Sequence, residues 1–417
     1  MARATHRQAG SILALLAALN FLNYIDRSIL FSVQPLLQRE FALRDLETGY
    51  ITTAFILCYM VAAPPLGYLA DRVARRPIIV TGAIVWSVST LLTAVTHDYH
   101  TLLLRHCLVG IGEASFVAAA PSLIADLYPE ERRGRMLAVF FMGIPTGTAL
   151  GYVIGAVLGN AYGWRAPFYV VAAPGVALAL LLLRFPEPRR GAQDPATSRS
   201  PAALCSLGRN PAYLTATLGM AMMTFALGGL QVWMPTFLVR VRGMHLLHAN
   251  LFFAAITVVN GVAATLAGGW LGDRMMRRRR DAYFYFSGLT LLLAAPLLAG
   301  TIYLDRPALF PLCFLTEFLL LLNTGPLNAA VIDAVPAGIR ASAVALNVLV
   351  IHLLGDALSP AVLGYVSDRT GSLQTAFLAA LAAVVVSAVV LLSARCFAPQ
   401  LRGAAPAPGA LGPAAEA

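Results

Sequence analysis

The chain contains no lysine; all 30 of its basic residues are arginine. Charge of either sign is scarce. Only 12% of the 417 residues are Asp, Glu, Lys or Arg, about half of what a soluble domain carries. That excludes an ordinary soluble fold. The five cysteines (58, 107, 205, 313 and 396) are scattered and form no C-x-x-C, so neither a disulfide framework nor a zinc site is implied. G-x-x-x-x-G-K-[ST], G-x-S-x-G and H-E-x-x-H are all missing, which removes P-loop ATP hydrolysis and the common hydrolase and metalloprotease chemistries. The chain reads as no enzyme, with no metal site and no cofactor.

What is abundant is apolar sequence, with a mean hydropathy of +0.73. Twelve runs of spanning length recur, from Ile12–Leu37 to Thr375–Ala394; about 20 apolar residues suffice to cross a hydrocarbon core. The first run continues through Asp26-Arg27 to Leu37, too long for the apolar core of a cleaved signal peptide. The formal charge of +10 does not point to nucleic acid, because the arginines cluster in alternate loops. One side holds Arg72, Arg75, Arg76, Arg132, Arg133, Arg135, the run from Arg277 to Arg280, and Arg340. The other holds only Arg39, Arg44, Arg165, Arg240, Arg242, Arg306 and Arg369. The positive-inside rule then places both termini in the cytoplasm. The protein reads as integral to a membrane, with a bacterial inner (plasma) membrane as the expected location.

The chain is duplicated. Gly67-Tyr68-Leu69-Ala70-Asp71-Arg72-Val73-Ala74-Arg75-Arg76 and Gly269-Trp270-Leu271-Gly272-Asp273-Arg274-Met275-Met276-Arg277-Arg278 both read G-x-L-small-D-R-x-x-R-R, their Asp residues 273 − 71 = 202 positions apart. Asp126, followed by Arg133, and Asp333, followed by Arg340, repeat in the same way at 333 − 126 = 207 positions. Two in-register copies of a membrane unit imply an all-α membrane protein of twelve helices in two six-helix halves, related by a pseudo-two-fold axis and working as a transporter. Residues 1–184 and 210–395 are the expected halves. A Pro- and Arg-rich cytoplasmic linker, 185–209, joins them, and 396–417 form a low-complexity tail expected to be disordered.

Six plus six spans with this loop motif in each half resemble the major facilitator superfamily. Within it, the chain most resembles the Spinster family of lipid transporters. The residues that carry the resemblance are Asn23-Tyr24-Ile25-Asp26-Arg27, Gly110-Ile111-Gly112-Glu113-Ala114-Ser115-Phe116, Ala120-Pro121-Ser122-Leu123-Ile124-Ala125-Asp126-Leu127, the stretch from Ile144 to Tyr152, and His352 to Pro360 ending in Ser367-Asp368-Arg369. The resemblance implies a proton-gradient-driven carrier that alternates access, takes (lyso)lipid-like amphiphiles, and acts as a monomer with substrate, protons and bilayer as its partners. A proton symporter of small organic anions such as sugar acids is the alternative, and a non-transporting membrane sensor is a more distant one.

Charges inside spans mark function, because an ion at bilayer depth is costly unless paired or hydrated. Asp26 and Glu113 are the candidate proton carriers, with Arg27 as alternating counter-ion; desolvation favours the neutral carboxyl and a neighbouring guanidinium the ionised one. The resemblance supports the roles of both acids. The competing reading is a static ion pair that locks two helices. Where the family places Arg, this chain has His106, with Arg105 one residue earlier. Helical geometry turns His106 to within about 20° of the face of Glu113 and Arg105 about 80° away, yet a long Arg side chain could still reach in. Tyr24, Asn23, Glu317, Asn323, His352, Asp356 and Trp233 are candidate substrate-cavity residues, His352 and Asp356 sharing a face at i,i+4. Helix breaks are expected at Trp233-Met234-Pro235 and Asn323-Thr324-Gly325-Pro326. Gly67, Asp71, Arg72, Arg75, Arg76, Asp126, Arg133, Asp273, Arg274, Arg277, Asp333 and Arg340 form the expected cytoplasmic gate. A ladder of Gly143, Gly147, Gly151 and Gly155 is packing material; the fifth span of this superfamily faces the opposite half, so the ladder is expected to set how far the halves rock.

Overall fold

The structure, a computed structural model, describes residues 6–70, 72–187, 207–305, 307–335 and 339–397. Asp71, Cys205, most of the linker and the tail beyond residue 397 lie outside the described residues. Every regular element among the described residues is helical. Eleven helices are long and apolar enough to span a membrane: α1 (Gln8–Phe41), α2 (Asp45–Ala70), α3 (Arg75–Thr93), α4 (Tyr99–Leu127), α5 (Arg132–Tyr162), α7 (Pro211–Arg240), α8 (Leu246–Met276), α9 (Ala282–Tyr303), α10 (Leu309–Asp333), α11 (Ser342–Thr370) and α12 (Leu373–Leu392). The apolar Ala166–Leu182, 17 residues long, is α6 and completes twelve. Spans stop where the sequence changes chemistry. Asp98 caps α4 by accepting from the Thr101 amide at 2.9 Å. Gly371 ends α11 at φ 67°, a left-handed conformation that glycine adopts without steric cost.

By compactness the chain gathers into two units. The first comprises Met1–Thr197, Gly228–Val258 and Asp356–Ala376; the second comprises Ser198–Leu227, Val259–Gly355 and Phe377–Ala417. The first unit packs α1 on α5 and α6, and α4 on α2 and α3, around Trp86, Phe116 and Phe140, whose rings meet at 5.6 and 5.8 Å. The glycine ladder of α5 faces α1 rather than the opposite half. A Cβ on Gly151 would lie 2.7 Å from Ser28 Cβ, and one on Gly155 2.7 Å from Ser32 Cβ. The ladder lets two neighbouring helices of the first unit touch.

Pro235 does not break α7, contrary to the expectation from sequence. Proline frees the carbonyl four residues back, here that of Gln231, and the Tyr152 hydroxyl donates to that carbonyl at 2.8 Å. The orphan acceptor is satisfied, and the helix is uninterrupted from Pro211 to Arg240. The break in α10 does occur, between Leu309–Leu321 and Thr324–Asp333. Asn323 holds it, its amide donating to the Leu319 carbonyl at 2.7 Å and its oxygen accepting from Thr290 at 2.8 Å. A break missed by the sequence lies in α11, where His352–Asp356 form a π turn with Gly355 at φ −98°, ψ −106°.

Candidate functional site

Arg27 and Glu113 meet inside the first unit. Arg27 Nε donates to Glu113 Oε2 at 2.6 Å; Glu113 is fully buried, whereas Arg27 keeps 22% of its side-chain surface. The guanidinium sits among the rings of Tyr24, Phe55 and Tyr59 at 5.0 to 5.1 Å. Such cation–π contacts contribute roughly 1–2 kcal/mol each when desolvated. They offset part of the cost of holding the cation at depth when its carboxylate partner is neutralised. Asp26, one residue away and so about 100° around α1, is buried and accepts from Thr90 of α3 at 3.4 Å. A small cavity is lined by Asp26, Arg27, Thr90, His106 and Glu113. Its volume of about 20 Å³ is enough for a single water. Asp26 Oδ1, His106 Nδ1, Glu113 Oε1 and Arg27 Nη2 are buried there with no protein hydrogen-bond partner. Two acids, an imidazole and a guanidinium thus converge on one water-sized space, an arrangement suited to moving a proton.

His106 and Arg105 touch different surroundings. His106 lines the cavity. Arg105 turns away and donates to the Leu92 carbonyl and, at 2.5 Å, to Thr96 Oγ1 at the end of α3, where a cation complements the helix C-terminus.

The other sequence candidates divide. Asn23 is fully buried beside Glu113, and Tyr24 lies beneath Arg27 within electrostatic reach of Asp356. Trp233 is not a cavity residue: it is fully buried and its indole N–H donates to the Pro360 carbonyl at 3.0 Å, tying α7 to α11. Asn323 likewise is spent on the helix break. His352 and Asp356 bracket the π turn, in which the i,i+4 register of an α-helix is lost, so the shared face expected of them does not follow. Glu317 is buried beside Cys313 in the second unit.

At the Arg-rich end of the first unit, Arg75 pairs with Asp126 and lies 3.5 Å from Glu187, while the Arg75 and Arg76 amides donate to the Glu187 carboxylate at 2.7 and 3.2 Å. Asp71, expected to cap a neighbouring helix, lies outside the described residues; Glu187 does that work at the start of α3. Asp126 takes Arg75 as a partner. Arg76 donates to the Phe185 carbonyl. Gly67 is half-buried, and Arg72 is exposed and stacked on Tyr68. In the second unit, Asp273 accepts from Tyr283 at 2.8 Å, Asp333 lies within reach of the same tyrosine, Arg274 stacks on Trp270, and Arg277 and Arg340 are exposed.

The sequence missed a cluster at the opposite end. Asp45, at the N-terminus of α2, accepts both terminal nitrogens of Arg240 at 2.7 and 2.5 Å, Gln38 at 2.7 Å and Ser367 at 2.5 Å. Asp368 in turn accepts the Asp45 and Leu46 amides at 3.0 and 2.9 Å. α1, α2, α7 and α11 are thus joined by one carboxylate. Two glycines bring the backbones together: a Cβ on Gly49 would lie 2.7 Å from the Pro360 carbonyl carbon, and one on Gly364 2.6 Å from that of Asp45. The available signal was Arg240 itself, one of few arginines on the charge-poor side.

Twelve apolar helices, a repeated loop motif and charged residues paired at bilayer depth define a major facilitator. The family model described as Major Facilitator Superfamily matches residues 16–360. Within that superfamily the chain belongs to the Spinster family. It is 34% identical over 394 residues to protein spinster homolog 3 of Danio rerio, covering 89% of this chain and 79% of that protein. It is 33% identical over 388 residues to a protein of Danio rerio named as a sphingosine-1-phosphate transporter, covering 86% and 75%. In fold it resembles a crystal structure of a bacterial homolog of the human lysosomal transporter Spinster, in an inward-facing and unoccupied conformation, with a TM-score of 0.82 at 24% identity, covering 94% of this chain and 96% of that one. The protein is a membrane transporter and not an enzyme.

Proposed function

We propose that this protein is a proton-coupled secondary transporter that moves an amphiphile with an anionic head, such as a lysophospholipid, by alternating access. The observation that carries this reading is the convergence of Asp26, His106 and Glu113 on the water-sized cavity beside the caged Arg27. While Glu113 is ionised it holds Arg27 at 2.6 Å. A proton delivered to Glu113 removes the counter-charge, and Arg27, partly exposed and held by three rings, becomes able to pair with a phosphate or carboxylate. Substrate head and Glu113 therefore compete for one guanidinium, and that competition couples proton to cargo. Asp26 and His106 relay the proton. The Asp45 cluster serves as the outer latch, broken when the outer side opens. The relative named as a sphingosine-1-phosphate transporter supports a phosphate-headed lipid as cargo.

The test is pH-gradient-driven flux in proteoliposomes of a fluorescent lysophospholipid and, separately, of a sugar acid, for wild type and Glu113→Gln. Lipid flux that follows the gradient and is lost in the variant is the expected result. Sugar-acid flux alone would replace the cargo. A Glu113→Gln protein that still couples flux to the gradient would reduce the Arg27–Glu113 pair to a helix lock.

A further inference from the structure

A cavity of about 290 Å³ opens between α2, α3 and α4, away from the Arg27–Glu113 pair. Leu66 and Leu69 form one wall, Ile78 and Val85 a second, and Ile111 a third; among the described residues no charged one lines it. Ser115, one of its polar lining residues, is satisfied internally by donating to the Gly112 carbonyl at 2.8 Å. The floor is backbone. A Cβ on Gly112 would lie 2.7 Å from the Trp86 amide nitrogen, and one on Gly82 2.6 Å from the Gly112 carbonyl oxygen. The two missing side chains let α3 and α4 touch at the floor of the cleft. It continues into exposed apolar stripes, Val88 and Leu92 on α3 and Leu108 and Leu104 on α4. Surfaces of this kind on a spanning protein face acyl chains.

The end of the cleft nearest the α2–α3 loop has different chemistry. The Arg72 amide donates to the carbonyl of the cleft residue Leu69 at 2.9 Å, and the Arg72 guanidinium stacks 3.3 Å from the centroid of the Tyr68 ring. Both side chains are exposed. Arg75 and Arg76 are engaged by Asp126, Glu187 and the Phe185 carbonyl, whereas Arg72 has no carboxylate partner among the described residues. A tyrosine and an arginine with no carboxylate partner among the described residues, at the rim of an apolar groove, complement a phosphate head, and the side this loop occupies by the positive-inside rule is the leaflet rich in anionic lipid.

We propose that the α2–α3–α4 cleft binds an anionic phospholipid of the surrounding bilayer, with one acyl chain along Leu66, Val85 and Ile111 and its phosphate on Arg72 and the Tyr68 hydroxyl. The occupant is a resident lipid, separate from the cargo that meets Arg27.

Native mass spectrometry of the detergent-solubilised transporter, titrated with dioleoyl phosphatidylglycerol or dioleoyl phosphatidylcholine, tests this. Wild type is expected to retain phosphatidylglycerol more tightly than phosphatidylcholine. Arg72→Gln should weaken phosphatidylglycerol binding about fivefold, the contribution of one basic residue near an anionic surface. Arg274→Gln, the same charge change at the equivalent loop of the other repeat, should leave it near wild type. Ile111→Trp, which fills the cleft, should remove the tight site for both lipids. Equal retention of the two lipids, unchanged binding in Arg72→Gln, or equal losses in Arg72→Gln and Arg274→Gln would overturn the proposal. Competitive displacement of phosphatidylglycerol by stoichiometric lysophospholipid would also overturn it, by making the cleft a cargo site.

Discussion

Asp45→Asn is the sharpest perturbation the structure offers. The substitution keeps size and hydrogen-bonding capacity for Gln38 and Ser367 and removes the charge that two nitrogens of Arg240 share at 2.7 and 2.5 Å. Breaking a buried pair costs about 3–5 kcal/mol and an exposed one about 0–1 kcal/mol. Here the acid is 8% exposed and the arginine 41%. An intermediate value of about 2 kcal/mol follows, close to a 30-fold shift toward the state in which the latch is open. Ser367→Ala removes one charge-assisted bond at the same carboxylate and should shift the equilibrium by about tenfold or less. The assay is alkylation of Thr53→Cys, a buried position on α2 behind the latch, by a membrane-impermeant maleimide added outside, in a background with the native cysteines replaced. When opening is fast relative to alkylation, the labelling rate follows the open population. Arg240→Gln should raise the rate as Asp45→Asn does, and the double variant should add little to either, since both remove one interaction. Labelling within twofold of wild type in Asp45→Asn, or additive effects in the double variant, would refute the latch.

Tyr152→Phe leaves the Gln231 carbonyl without the 2.8 Å bond that replaces the one lost to Pro235, and should lower thermal stability by about 1–3 kcal/mol. Adding Pro235→Ala restores a helical donor, so the double variant should regain most of the loss in the same melt. Gly151→Leu places a Cβ 2.7 Å from Ser28 Cβ and should cost about 1–3 kcal/mol by overpacking, while Gly134→Leu, with open space at its Cβ, should melt near wild type. The Asp98 carboxyl, outside the spans, is held below its ordinary range by hydrogen bonds from the Thr101 hydroxyl and amide. A lowered folded-state value gives stability that is present above the unfolded value of about 3.9 and lost as pH falls through the folded one. The melting difference between wild type and Asp98→Ala should therefore be constant near neutral pH and vanish in acid.

What the sequence revealed and what it concealed differ in range. Spans, repeat and charge asymmetry are properties of consecutive residues, and an ion at bilayer depth is conspicuous because apolar surroundings penalise it; Asp26, Arg27 and Glu113 stood out for that reason. Helical angle alone favoured His106 over Arg105 but could not close the matter, since a long side chain reaches either way. The Leu92 carbonyl on α3 and Thr96 just beyond its end gave Arg105 its place. Pro235 was misread for the same cause. Proline is tolerated inside several of these helices, and at Pro235 the freed carbonyl finds a donor, Tyr152, on another span. Asp45 shows the limit most clearly. At the start of α2 it looks like any first-turn acid, and its partners Arg240 and Ser367 are 195 and 322 residues away. An acid at a helix start is locally unremarked, but in an outer layer with few arginines one that meets an arginine carries the connection between distant segments. A bidentate pair whose partners lie on helices far apart in the sequence can act as a latch, because parting those helices breaks both of its bonds at once.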